Sequence, residues 1–166
     1  RQLEEVTFRR TVIPVQELLD TAGKYFKKSM KNRSERIELE IEPMEAKVIG
    51  DVNQLRFLLE NLIDEALTVR EDGVIRLQAR QDNEYIRFLF TDTRREKSVE
   101  ELNQLFYPNL ARMTSGEKGE LRGTEYLVCK QIIRDHDEFA GRRGCRINAE
   151  PAEGGGFTVY FTIPRR

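Results

Sequence analysis

Hydrophobic residues recur along this chain with two periods, and their alternation predicts its elements. Val6 to Arg10 alternates as a short strand. From Pro14 to about Met30 the spacing turns helical, with Pro14 at the first turn and Val15, Leu18, Leu19, Ala22 and Phe26 on one face. Ile37, Leu39 and Ile41 alternate with Glu38, Glu40 and Glu42, the pattern of a strand with one wet face. Asp51 is placed to cap a second helix, whose stripe is Leu55, Leu58, Leu59, Leu62, Ile63 and Ala66. After the turn Glu71-Asp72-Gly73 come two strands, Val74 to Arg80 and Tyr85 to Thr91. Ser98 to Phe106 reads as a short helix, and Thr124 to His136 as a longer one with Val128, Cys129, Ile132 and Ile133 inward. Arg146 to Glu150 and Phe157 to Pro164 form a hairpin about Gly154-Gly155-Gly156. The outlier is Tyr107 to Arg122, which holds Pro108, Gly116 and Gly119 and little periodicity. A loop of that length in a compact domain is usually a lid or disordered.

Helices and mostly antiparallel strands in blocks predict an α+β fold: a two-layer sandwich with a mixed sheet of about five strands under three helices. The length of 166 residues suits a single domain over 1–166, with the lid-like loop at 107–122. Apolar residues make up 39% and charged residues 34%, which predicts one core under a heavily charged surface. Basic and acidic residues, 28 against 29, nearly cancel, so bulk attraction to nucleic acid or to an anionic membrane is not expected. No apolar run approaches the roughly 20 residues of a membrane helix, and the opening resembles no signal peptide. The expectation is a cytoplasmic location with Cys129 and Cys145 as reduced thiols. With His136 as the only histidine, a zinc site would need carboxylates to join it. The start without methionine predicts a piece of a longer protein.

Four segments then fall in a meaningful order. Gly50-Asp51-Val52-Asn53-Gln54-Leu55-Arg56 leads into Asn61-Leu62-Ile63-Asp64-Glu65-Ala66, and Thr91-Asp92-Thr93-Arg94-Arg95-Glu96 ends a strand. Leu105-Phe106-Tyr107-Pro108 precedes the long loop, and Gly123-Thr124-Glu125-Tyr126-Leu127 opens the helix behind it. These resemble the N box, the D-x-G-x-G box, the phenylalanine motif and the glycine-rich box of the ATP-binding catalytic domain of sensor histidine kinases. That domain is a Bergerat-fold (GHKL) ATPase, and the resemblance covers nearly the whole chain.

The resemblance implies roles for individual residues. Residues i and i+4 share a helix face, so Asn61 and Glu65 stand where the family holds Mg²⁺ with two asparagines. Asp92 stands where an aspartate accepts a hydrogen bond from the adenine amino group. Gly123, with Lys118 and Arg122 from the lid, stands near the phosphates. Several positions depart from the pattern. Glu65 replaces the second asparagine, and a carboxylate suits Mg²⁺ but repels phosphates without it. Arg94 and Glu96 replace the glycines after Asp92, and Leu121 and Glu125 replace the outer glycines about Gly123. Side chains then stand where backbone should approach the ligand. The pattern reads as a pseudokinase-like, degenerate domain: weak or lost binding of ATP and Mg²⁺, and an isolated fragment inactive as an enzyme.

Each residue also has a plainer reading. Taken alone, Asp92 reads as a turn residue, Asn61 and Glu65 as a solvated helix face, Lys118 and Arg122 as solvated loop charges, and Cys129 as core. Asp135-His136-Asp137 reads as a run that satisfies a helix end. Three functions stay open: an ATP-binding domain that phosphorylates a histidine elsewhere in its parent protein, a non-catalytic interaction module in signal transduction, and a gyrase-type hydrolase. The last is disfavoured because the asparagine precedes the acid here. The implied partners are an upstream histidine-bearing helical hairpin of the same parent protein and a response regulator. Neither nucleic acid nor a membrane contact is implied. A final expectation concerns the replacements: Arg94, or failing it Arg95, pairs with Glu65 or Glu125 and occupies the pocket with protein charge.

Overall fold

Strand β1 (Thr11–Pro14) runs directly into helix α1 (Val15–Ser29), because Pro14 is extended and cannot itself join the helical ladder. A computed structural model describes residues 7–108 and 123–166 in full and the backbone of 114–115 and 121–122. The order continues β2 (Ile37–Ile41), β3 (Lys47–Gly50), α2 (Val52–Ala66), β4 (Gly73–Asp82), β5 (Tyr85–Asp92), and α3 (Val99–Asn103). Then come β6 (Thr114–Ser115), β7 (Leu121–Arg122), α4 (Glu125–Phe139), β8 (Ile147–Pro151) and β9 (Phe157–Pro164).

The expected α+β sandwich is the fold observed. Its main sheet has five strands in the order β2-β4-β5-β9-β8, antiparallel except where β2 runs parallel to β4. One sheet face carries Ile75, Leu77, Ile86, Phe88, Val159 and Phe161, all buried against the apolar stripes of the helices. The stacked rings of Phe88 and Phe161, 4.9 Å apart, lie at its centre. The other face is wet and paired across strands: Arg76 with Glu40, Arg80 with Glu42, and Arg87 over the Tyr160 ring. A buried polar contact there joins the hydroxyls of Thr91 and Thr158, 2.7 Å apart.

Three boundaries differ from expectation. The first strand lies at Thr11–Pro14, paired antiparallel with β3, and not at Val6 to Arg10. In 7–10 the alternation serves side-chain packing: Phe8 meets the edge of the His136 ring, and the Arg9 N–H donates to Asp51. Strand β3 itself is too short, at four residues, to declare a period. Helix α3 is confined to Val99–Asn103, started by a capping box in which Ser98 and Glu101 satisfy each other's backbone N–H. The expected lid at 107–122 lies mostly outside the described residues; within it β6 pairs with β7.

Candidate functional site

Helix α2 presents the first part of the site. Its start is fixed by Asp51, whose Oδ1 accepts from the N–H groups of Asn53 and Gln54, at 3.0 and 3.1 Å. Two turns on, Asn61 is nearly buried and donates from Nδ2 to the Phe57 carbonyl at 2.8 Å, leaving its own carbonyl oxygen for a further partner. Glu65 follows one turn later on the same face. It is not an open acid: its Oε2 lies 3.8 Å from Arg95, and the pair is largely shielded, at 12% and 16% exposed. Beside it, the Tyr126 phenol is raised well above its ordinary pKa, first by burial and then by the Glu65 carboxylate.

Strand β5 ends at Asp92, and here the glycine replacements take effect. The chain turns at Thr93 and Arg94, which brings the Arg94 guanidinium back over the carboxylate it has just left. Asp92 Oδ1 accepts from the Arg94 N–H at 3.0 Å and from Arg94 Nε at 2.9 Å. Its Oδ2 accepts from Arg94 Nη2 at 3.0 Å and from Arg95 Nε at 3.3 Å. Four hydrogen bonds use the capacity of a carboxylate. The guanidinium is equally complete: its remaining N–H groups donate to the carbonyls of Ala66, Val69 and Glu71 at and beyond the end of α2. Both side chains are buried, at 1% and 2% exposed. Arg94 therefore does not take Glu65 or Glu125, as expected of it; its partner is Asp92, and Arg95 is the residue set between Asp92 and Glu65.

Two glycines frame this arrangement. Gly73 sits at φ +143° with Arg94 Cγ only 2.6 Å from where a Cβ would be, so a side chain there would collide with the arginine. At Gly156, φ +85°, a Cβ would lie 2.2 Å from the Asp92 carbonyl oxygen. Glu96, in place of a glycine, accepts from the Gly156 N–H at 2.9 Å, so it ties the β8–β9 turn to the end of β5.

At the other side of the site, Gly123 keeps the left-handed backbone (φ +80°) that favours glycine. Glu125 opens α4 with one carboxylate oxygen buried and, among the described residues, without a hydrogen-bond partner. Phe106 is buried edge-on against Tyr126, and Lys130 Nζ donates to the Phe106 carbonyl at 3.2 Å. Lys118 lies outside the described residues, as does the side chain of Arg122. Among the described residues no group of three His, Cys, Asp or Glu is arranged to hold a metal ion.

One hub escaped the sequence reading. His136 is fully buried; its Nδ1 donates to the Ile132 carbonyl and its Nε2 accepts from the Asp51 N–H at 3.0 Å. An amide N–H can only donate, so this imidazole is neutral. Burial lowers its pKa. The reading of His136 as a satisfied helix end thus gives way to one of a core residue joining α4 to the start of α2. Residues 85 apart in sequence carried no local signal of it. Cys129 is core, its thiol pushed up by burial.

Residues 50–166 match the family model described as histidine kinase-, DNA gyrase B- and HSP90-like ATPase. The chain belongs to that family. Its fold is also that of solved family structures. The catalytic domain of histidine kinase ThkA is 21% identical, with 96% of this chain and 98% of that one covered at a TM-score of 0.70. The mycobacterial sensor histidine kinase MprB is 20% identical, with 95% and 99% covered at 0.71. ThkA in complex with the response regulator protein TrrA is 18% identical, with 96% and 42% covered at 0.70. No curated protein is significantly similar in sequence. Among the described residues no helix is long and apolar enough to cross a membrane.

Proposed function

We propose that this domain stands in the position of the ATP-binding domain of a cytoplasmic two-component sensor kinase and has weakened or lost nucleotide binding. The observation that carries this is the saturated Asp92 carboxylate. In the family that carboxylate receives adenine; here Arg94 and Arg95 take its accepting positions. The residues do not fit the base end of ATP. The metal end fits better, since the free Asn61 carbonyl oxygen and Glu65 are hard oxygen donors, although Glu65 leans on Arg95. Bound Mg-ATP would supply the γ-phosphoryl group for a histidine acceptor, and Gly123, Lys118 and Arg122 would be its phosphate contacts.

The second reading, a pseudo-ATPase interaction module, is favoured by the same internal pairing. A domain whose pocket is held by its own side chains keeps its shape without ligand. Its partners would be a histidine-bearing helical hairpin of the parent protein and a response regulator, the kind of protein seen with ThkA.

A thermal melt with millimolar Mg-ATP tests the proposal. A ligand at a hundred times its dissociation constant adds about 2.7 kcal/mol, roughly 5–10 °C for a domain of this size. The expected shift is near zero. A full shift that Asp92→Asn abolishes would overturn it.

A further inference from the structure

The whole-chain charge nearly cancels, yet among the described residues one cleft on the far side of the domain is lined by arginine and by no acidic side chain. It lies between β1, the end of β9 and the turn that follows α4, with a volume of about 390 Å³. Among the described residues, Arg10, Arg142 and Arg166 carry the only charged side chains in its lining; the rest is Thr11 and apolar or glycine positions. These arginines come from three segments distant in sequence, so the fold, not a local run, brings them together.

Their pairing is incomplete. Arg142 is oriented by its Nη1, which donates to the Glu84 carbonyl at 2.8 Å and lies 3.7 Å from the Glu84 carboxylate, outside the cleft lining. The guanidinium groups of Arg10 and Arg166 have no ion pair or hydrogen bond among the described residues. Arg10 is nevertheless located: its Nη1 is 2.7 Å from where a Cβ at Gly141 would stand, with Gly141 at φ +97°. The cationic group lies directly on a glycine that leaves room for it. Like charges held together in a concave surface raise the local potential and draw in a counter-ion. Guanidinium forks match the oxygen geometry of phosphate.

We propose that this cleft is a binding site for a compact phosphate-bearing polyanion, of the size and charge of a pyrophosphoryl group. Arg10 and Arg166 grip it, and Arg142 is the preset third contact. The site is separate from the candidate nucleotide pocket: the 15 residues of α4 put about 20 Å between its two ends, Gly123 at one and Gly141 at the other. The proposal does not rest on the reading of that pocket.

Calorimetric titration with inorganic pyrophosphate, without magnesium, tests it. The expected result is saturable one-to-one binding that weakens as salt rises. In the Arg10→Gln/Arg166→Gln double variant the dissociation constant rises at least tenfold while the melting temperature is unchanged. Arg76→Gln, at an exposed arginine on the charged face of the sheet, leaves the affinity as it was. Absence of saturable binding, an undiminished affinity in the double variant, or citrate binding as tightly as pyrophosphate would each overturn the proposal. A nucleotide-induced thermal shift that the double variant removes belongs to this cleft; one that Asp92→Asn removes belongs to the other pocket.

Discussion

Asp92 and Arg94 exchange two direct hydrogen bonds in a place where neither meets water. The desolvation of such a pair is large, and its attraction offsets that cost only while the geometry is intact. Removing one partner leaves a stranded charge. Asp92→Asn is therefore expected to lower the unfolding free energy by about 3–5 kcal/mol, read from urea denaturation. Replacing both together, as Asp92→Leu/Arg94→Met, is expected to recover most of that loss, because apolar residues of like volume need no partner. A single-variant loss below about 1 kcal/mol, the size of a surface pair, would show that the two groups are solvated. The presence of an odd residue at 94 was legible in the sequence, since an arginine stood where the pattern has glycine. Its target was not. Along an extended strand, positions 92 and 94 share a face only until the strand ends, and the turn at Thr93 that re-aims the guanidinium has no distinctive residue. The expected pairing across the pocket fell instead to Arg95, which touches Glu65 and Asp92 together.

The imidazole of His136 on α4 accepts from the N–H of Asp51, the residue that caps α2. Asp51 caps α2 with its side chain, receives the Arg9 N–H on Oδ2 at 2.9 Å, and gives its own N–H to His136. Protonating His136 would put a donor against that N–H and a charge among apolar neighbours. Its folded-state pKa is lowered by burial, while in the unfolded chain it is about 6.5. The unfolded chain therefore binds the proton first as pH falls. The contribution is complete above pH 6.5 or so and is lost progressively as pH drops from there toward the folded value. The urea midpoint is expected to fall between pH 7 and pH 5, and a His136→Asn variant to lose that step. An unchanged slope in the variant would assign the pH dependence to the carboxylates. The helices that meet here were legible from their stripes, because each buries one continuous face. Their junction was not, since a hydrogen bond between residues 51 and 136 leaves no periodic trace.

At the scale of the molecule, one apolar layer joins three helices to the central strands, and Phe88 on β5 lies at its middle, fully buried. Phe88→Ala is expected to cost about 3–5 kcal/mol, seen as a lower urea midpoint with an unchanged slope. A changed slope would mean that the fold gives way in parts. The alternation of β2, β4, β5 and β9 was legible because one face of the sheet is packed and the other paired with water-exposed charge. The parallel placement of β2 beside β4 was not, because β2 would show the same Ile-Glu alternation in either direction. Strand β3 left no signal, as its ladder to β1 needs a partner 33 to 39 positions away. The same division holds for the site. Neighbours on a helix, such as Asn61 and Glu65, are read from spacing; contacts between elements come only with the fold.

The guanidinium over Asp92 is in effect a ligand on a two-residue leash. A tethered group acts at an effective concentration set by its linker, millimolar even for loose flexible ones. Arg94 is far from loose, since three backbone carbonyls and Gly73 hold it in register. Any free molecule seeking that carboxylate competes with a rival that never diffuses away. Raising its concentration gains little, because it must also dislodge the end of α2 to which the rival is fastened. Occupancy of this carboxylate is thus written into the chain itself and does not follow metabolite supply.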